Sequence, residues 1–318
     1  MIISLKFVLV NSKFYCNQTN FMVKYIHQPQ RKKEMLKKIY LEITNVCNLS
    51  CSFCHKTKRP HKLLTEEEFD ILTDKLKGKA PHLYFHLMGE PMLHPLLPKF
   101  IERAKNKGFK PMLTTNGSLL GTKSSALLEH LPHKVNISLH APDANPAFAD
   151  EGYLDNCLNF AKEASQRGCI VALRLWNLGT DADNSNIIEK IRERFPNEWE
   201  TVRSNNGYKI APRLFLEYGE HFDWPDPSAP EDDKNADAFC FALRDQIGVL
   251  SDGTVVPCCL DADGILALGN LFESDLDSIL FSERAKKIYD GFTRRRACEE
   301  LCRKCGYAKR FKRTNNVK

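Results

Sequence analysis

From residue 37 onward, short and nearly continuous apolar runs alternate with longer segments whose apolar residues recur at helical spacing. The first run, Lys38-Ile39-Tyr40-Leu41-Glu42-Ile43-Thr44, predicts a buried strand over about 37–44. Thr65 followed by Glu68 is a capping box, and Phe69, Leu72 and Leu76 behind it share one helical face. His82 to Met88 reads as a second strand running into Gly89-Glu90-Pro91. Leu97, Phe100, Ile101 and Ala104 trace the next helix, with Gly108 placed to end it. Lys110 to Thr114 is a third strand entering the turn Thr115-Asn116-Gly117, and a helix is expected over about 121–130. A strand from Lys134 to His140, a helix over about 152–166 and a strand from Cys169 to Trp176 follow. Ile187 to Phe195 reads as a helix, and Pro212 to Tyr218 contains the sixth strand.

Six strands alternating with helices imply an α/β fold with a parallel sheet, right-handed crossovers and both faces covered. An open sheet and a partial (β/α)6 TIM-type barrel share this pattern. In either, reactive groups belong at the C-terminal strand ends. The unusual residues lie there: Cys47, Gly89-Glu90-Pro91, Thr115-Asn116-Gly117, Ser138 to His140, and Arg174 to Asn177. The core is therefore assigned to residues 35–218. Residues 219–238, acidic and proline-rich, read as a linker. A small cysteine-rich α+β domain is expected over 239–318. It opens with a hairpin whose strands flank Ser251-Asp252-Gly253, continues in a helix from Leu276 through Tyr289, and closes on Cys298, Cys302 and Cys305 before a basic tail. Residues 1–34 lack a strong period. With Met22 and Met35 as alternative starts, they are expected to be a start-site artefact or an extra strand and helix on the core.

Composition narrows the class. Hydrophobic residues make up 42% of the chain, which suits an ordinary globular protein. The apolar start from Ile2 to Val10 is interrupted by Lys6 and followed by no small-residue cleavage site, so it does not read as a signal peptide. It is too short to span a bilayer. A cytoplasmic, reducing location is expected, in which twelve cysteines are thiols or metal ligands and not disulfides. The net charge of +6 sits largely at the ends, in Arg31-Lys32-Lys33, Arg294-Arg295-Arg296 and Lys309 to Arg313. No recognition helix, aromatic stacking motif or long basic stripe accompanies it, which speaks against a nucleic-acid partner.

Cys47, Cys51 and Cys54 carry the chemistry. Three thiols delivered together at a strand end suit an iron–sulfur cluster. Zinc, with His55 as a fourth ligand, is the competing reading. The C-terminal cysteines could likewise hold a cluster or a zinc ribbon. Cys16, Cys157 and Cys169 show no ligand spacing, and the last two fit apolar element faces.

The Cys47/Cys51/Cys54 loop, set after the first strand with the aromatic Phe53 just before its last cysteine, resembles the signature of the radical S-adenosylmethionine (SAM) superfamily. The resemblance implies a [4Fe–4S] cluster on those three cysteines, with one iron open to the amino and carboxylate groups of SAM. Gly89-Glu90-Pro91 is similar to the family's Gly-Gly-Glu-Pro segment, with Met88 in place of its first glycine. Thr115 and Asn116 match a further recurrent turn, Ser138 stands where the fourth strand offers SAM a polar group, and Arg174 is the implied carboxylate partner. The C-terminal module resembles SPASM/twitch extensions: Cys240, Gly253 and Cys258 fit the opening of the motif, Gly269-Asn270 its middle, and Cys302 with Cys305 its final pair. A second, auxiliary [4Fe–4S] cluster on Cys240, Cys258, Cys302 and Cys305 is implied, leaving Cys259 and Cys298 spare.

The expected activity is reductive cleavage of SAM to a 5′-deoxyadenosyl radical. That radical would abstract a hydrogen from a peptide, protein or small-molecule substrate, and the electron would come from a flavodoxin or ferredoxin type donor. The alternatives are a radical SAM enzyme acting on RNA, suggested by the basic ends alone, and a zinc-stabilised binding protein without catalysis. His86 and His140 could face the barrel interior but are expected as core histidines. Trp176 and Trp224 are expected to pack, and Asp261 and Asp263 to serve a turn.

Overall fold

Thr65 begins the first helix as its sequence requires. Its hydroxyl accepts from the Glu68 amide at 3.1 Å, and the Glu68 carboxylate accepts from the Thr65 amide at 2.9 Å. In the computed structural model, the structure describes residues 9–10, 13–14, 35–145, 148, 151–203, 206–230 and 238–311. Apart from residues 9–10 and 13–14, the expected extension, with Cys16 and Met22, lies outside the described residues, as do residues 231–237 of the expected linker and 312–318 of the basic tail. Strands β1 (Leu9–Val10) and β2 (Lys13–Phe14) pair with each other as a two-stranded antiparallel ribbon.

The core alternates strand and helix. It runs β3 (Lys38–Leu41), α1 (Glu66–Leu76), β4 (His82–Tyr84), α2 (Leu97–Asn106), β5 (Lys110–Thr115) and α3 (Leu120–Glu129). It continues through β6 (Lys134–Ser138), α4 (Tyr153–Gln166), β7 (Ile170–Leu178), α5 (Ser185–Arg194), β8 (Glu200–Val202), β9 (Gly207–Ala211) and β10 (Leu214–Glu220). Then come β11 (Gln246–Val249), β12 (Thr254–Val256), β13 (Gly269–Asn270), α6 (Leu276–Leu280), α7 (Glu283–Thr293) and α8 (Glu300–Arg303).

Strands β3 to β13 join one sheet in the order β13-β12-β11-β3-β4-β5-β6-β7-β10-β9-β8, whose two ends do not pair. Within it, β3, β4, β5, β6, β7 and β10 are parallel neighbours, the six expected strands of a partial barrel. Helix faces seal its outside. Phe69 of α1 stacks on Phe100 of α2 at 4.0 Å between ring centres and meets Phe85 edge-on at 5.8 Å.

The observed elements depart from the expectations at three places. The antiparallel pair β8–β9 extends the sheet beyond β10, where no strands were expected. The run from Leu276 to Tyr289 is two helices, because the Ser282 hydroxyl accepts from the Ala285 amide and caps a new start at Glu283. The third concerns the C-terminal hairpin. Its Gly253, at φ +85°, makes the tight turn as expected. But β11 also pairs in parallel with β3, from Gln246 opposite Lys38 to Val249 opposite Leu41. The cysteine-rich module is thus built onto the edge of the core sheet. Among the described residues, no helix is long and apolar enough to cross a membrane.

Candidate active site

The loop after β3 brings three thiols beside the ends of β5 and β6. Cys47 Sγ accepts from the Leu49 amide at 3.4 Å and lies 3.9 Å from Asn116 Nδ2. Cys51 Sγ lies 3.6 Å from the Ala141 carbonyl. Cys54 packs against a small apolar cluster containing Tyr40, Met88 and Val256. Burial pushes the Cys51 thiol up to about 11, and the nearby charges of Cys47 and Cys54 add to it. Three thiols on one loop are the ligand type of an iron–sulfur cluster, although among the described residues they are not gathered into a ready-made metal site. His55, the fourth ligand a zinc site would need, instead places Nε2 2.9 Å from Asp263 Oδ2 and stacks on Trp224.

Gly89 and Glu90 frame this loop from below. The Glu90 amide donates to the Val46 carbonyl at 2.8 Å, which pins the turn to the start of the cysteine loop. The Glu90 carboxylate is buried; Oε1 accepts from the Met92 amide at 3.0 Å and Oε2 from the Asn116 amide at 2.7 Å. Glu90 therefore shapes the pocket by joining two loops, with Pro91 opening the short 3-10 turn Pro91–Leu93 between them. Asn116 extends the join, since its Nδ2 donates to Asn48 Oδ1 at 3.1 Å. Thr115 is buried and its hydroxyl accepts from the Gly117 amide at 3.0 Å.

Phe53, Ser138 and Arg174 line a cavity of about 340 Å³ that continues into the C-terminal module. The Phe53 ring lies 5.2 Å from that of His140. Arg174 is already engaged: its Nε donates to Glu217 Oε2 at 3.1 Å, and its guanidinium lies 4.6 Å from the centre of the Trp176 ring. Lys134 holds the other Glu217 oxygen at 2.9 Å. The ion pair was not legible in the sequence, because Glu217 lies 43 residues from Arg174 on a different strand.

Cys240, Cys258, Cys302 and Cys305 line the far wall of the same cavity. Burial pushes the Cys258 thiol well up, followed by the charges of Cys259, Cys240, Cys302 and Cys305. The four assigned thiols thus line one cavity, though among the described residues no three of them stand close enough together to form a ready-made metal site. Cys259 also faces the cavity, beside Tyr40 and Lys38. Cys298 stands apart, with Sγ 3.5 Å from the Lys287 carbonyl, and is not among the residues lining the cavity.

Sequence reasoning missed much of the lining. Trp176 and Trp224 were expected to pack, yet both face the cavity, as do Phe222 and Tyr307. His86 lines it too, with Nδ1 buried and lacking a hydrogen-bond partner among the described residues. Burial, reinforced by the charges of Arg174 and Lys38, lowers this histidine to about 3 and keeps it neutral. Asp261 serves its turn as expected, accepting from the Ile265 and Leu266 amides at 2.9 and 2.8 Å.

Residues 41–199, half of the chain, match the family described as the radical SAM superfamily. The chain belongs to the radical SAM superfamily. Residues 240–306 of this radical SAM protein match SPASM, an iron–sulfur cluster-binding domain. The superfamily's domain binds a [4Fe–4S] cluster and SAM, and SPASM domains bind auxiliary clusters. The chain is 24% identical over 277 residues to the antilisterial bacteriocin subtilosin biosynthesis protein AlbA of Bacillus subtilis, covering 78% of this chain and 60% of that protein. It thus spans less than two thirds of that relative's length. Two solved structures share the fold. BtrN, in complex with AdoMet and 2-DOIA, superposes with a TM-score of 0.55 at 18% identity over 86% of this chain and 93% of BtrN. Streptococcus suis SuiB bound to S-adenosylmethionine gives a TM-score of 0.55 at 17% identity over 86% of this chain and 72% of SuiB.

Proposed function

We propose that this radical SAM enzyme modifies a peptide substrate by hydrogen abstraction, with SAM seated between Cys47/Cys51/Cys54 and the cavity. The observation carrying this reading is that a single cavity runs from Phe53 and Ser138 to the four C-terminal thiols. A substrate placed there would sit between Phe53, the neighbour of Cys54, and the four C-terminal thiols.

Cys47, Cys51 and Cys54 would hold the SAM-binding cluster, and Cys240, Cys258, Cys302 and Cys305 the auxiliary one. When bound, the first cluster supplies the electron that splits SAM into methionine and a 5′-deoxyadenosyl radical. The chain's own residues seat and shield. Glu90 and Asn116 fix the two loops flanking Cys47. Phe53 and Ser138 line the SAM end, and the aromatic wall of Trp176, Phe222, Trp224 and Tyr307 keeps water from the substrate. The cavity volume of about 340 Å³ suits one amino-acid side chain with its flanking backbone, or a small molecule.

The peptide reading is favoured by the likeness to AlbA, which covers 78% of this chain and 60% of that protein, and by the fold shared with SuiB, which has been solved with the precursor peptide SuiA. The second reading, a small-molecule oxidation, is favoured by the fold match to BtrN, which covers 93% of that chain. The test is anaerobic reconstitution, iron counting and incubation with dithionite, SAM and short peptides encoded beside the gene. About eight irons per chain and a peptide mass change that tracks 5′-deoxyadenosine are expected. Absence of 5′-deoxyadenosine from a reconstituted protein would sink the radical reading. Its formation with no peptide changed, but with a sugar-type substrate oxidised, would select the second.

A further inference from the structure

The segment directly behind Cys54 is gripped by the C-terminal module. Asp263 Oδ1 accepts from the Thr57 hydroxyl at 2.6 Å and the Lys58 amide at 2.9 Å, while Oδ2 lies 2.9 Å from His55 Nε2. Next to it, Arg59 Nε donates to the Ala262 carbonyl at 2.8 Å. The same guanidinium reaches both oxygens of Glu42 at 2.7 Å. Glu42 is fully buried and also accepts from the Met88 amide at 3.2 Å, and from the Ser251 amide and hydroxyl at 3.2 and 3.0 Å. Residues 55–59 are thereby fastened to β3's end, to the turn before Gly89 and to the module at once.

The backbone inside this clasp is strained. Lys56 stands at φ +54°, a left-handed conformation that non-glycine residues adopt at a cost and keep only where the surroundings over-determine it. Among the described residues, the hydrogen bonds fastening residues 55–59 directly to the module are those to Asp263 and the Arg59–Ala262 bond. Released, the loop would relax, and Cys54 is joined directly to it.

We propose that Asp263, together with the Glu42–Arg59 pair, positions the SAM-site cysteine loop, so that the module sets the geometry of the first cluster as well as carrying the second. These are positioning residues; none of them touches the reacting atoms. The inference rests on the assignment of Cys47, Cys51 and Cys54 to the SAM-binding cluster.

Asp263→Ala in the full-length protein tests it, since Asp263 is a partly exposed residue whose loss spares the buried core; Glu42→Ala would instead strand Arg59 inside the protein. The dithionite-reduced variant should lose most of the change that added SAM makes in its electron paramagnetic resonance spectrum. Its KM for SAM in substrate-free cleavage should rise about tenfold. In a background with Cys47, Cys51 and Cys54 all replaced by Ala, Asp263→Ala should leave the iron of the auxiliary site, about four atoms per chain, unchanged. Asp263→Asn, whose amide oxygen still accepts from Thr57 and Lys58, should restore the SAM-dependent spectrum. A wild-type spectrum and KM in Asp263→Ala would overturn the proposal. So would parallel loss of auxiliary iron and thermal stability, which is what a purely structural contact gives. If Cys51→Ala still cleaves SAM, the cluster assignment fails, and the clasp is not the cause.

Discussion

A β-carbon placed on Gly89 would stand 2.5 Å from the carbonyl oxygen of Thr44 and 2.8 Å from that of Val46. The turn below the cysteine loop therefore lies directly against the end of β3, at φ +76° for Gly89. Gly89→Ala combines a backbone clash with left-handed strain, so a loss of about 1–3 kcal/mol or more is expected. Because the turn holds Val46, SAM cleavage should fall more steeply than stability. Urea unfolding and 5′-deoxyadenosine formation, measured on the same preparation, check both.

Met88 occupies the place where the family carries a glycine, and its side chain is buried with Tyr40, Leu87, Leu250, Val256 and Ala262. Here the departure from the family pattern is a packing residue between core and module. Met88→Gly, which restores the family residue, should destabilise the protein by about 2–5 kcal/mol, the cost of emptying a buried methionine site. Thermal unfolding decides it. A neutral result would show that the cluster closes without the side chain.

Burial raises the Glu90 carboxyl from 4.5 to about 7, and the Met92 and Asn116 amides only partly offset it. A carboxyl with a raised folded pKa binds its proton more tightly in the folded state. Its contribution is therefore fully present below about 4.5 and declines as pH rises to about 7. Between those limits the wild-type apoprotein should lose stability with rising pH more steeply than Glu90→Gln. Parallel pH slopes in denaturant melts would contradict this account.

Cys51→Ala should abolish SAM cleavage and retain about half the iron, while Cys302→Ala should lose the auxiliary iron and retain substrate-free SAM cleavage. Iron counting with and without each substitution separates the two sites. If one substitution empties both, the two sets of thiols do not form independent sites.

The alternation of strands and helices was legible because each element announces itself locally, through apolar period, caps such as Thr65, and turns such as Asp252-Gly253. The cysteines were legible by spacing. What the sequence withheld is non-local. β8 and β9 are short and only partly buried, so they carry little apolar pattern of their own. The Arg174–Glu217 pair, and the clasp of Asp263 on residues some two hundred positions earlier, join groups that no local rule associates. Trp224, expected to pack, lies in an acidic, proline-rich stretch, and only the fold brings it to the cavity.

The pairing of β11 with β3 also bears on how the chain is made. Strand β3 is synthesised first among the core strands, yet one of its two neighbours is drawn from some two hundred residues downstream. Until that hairpin emerges from the ribosome, the edge of β3 offers unpaired amides and carbonyls beside the cysteine loop. Such an edge is a template for pairing with other chains. Slow synthesis of the C-terminal third, or its premature release, should therefore appear as aggregation of the nascent core. Chaperone demand would then fall within the interval between translation of Leu41 and of Val249.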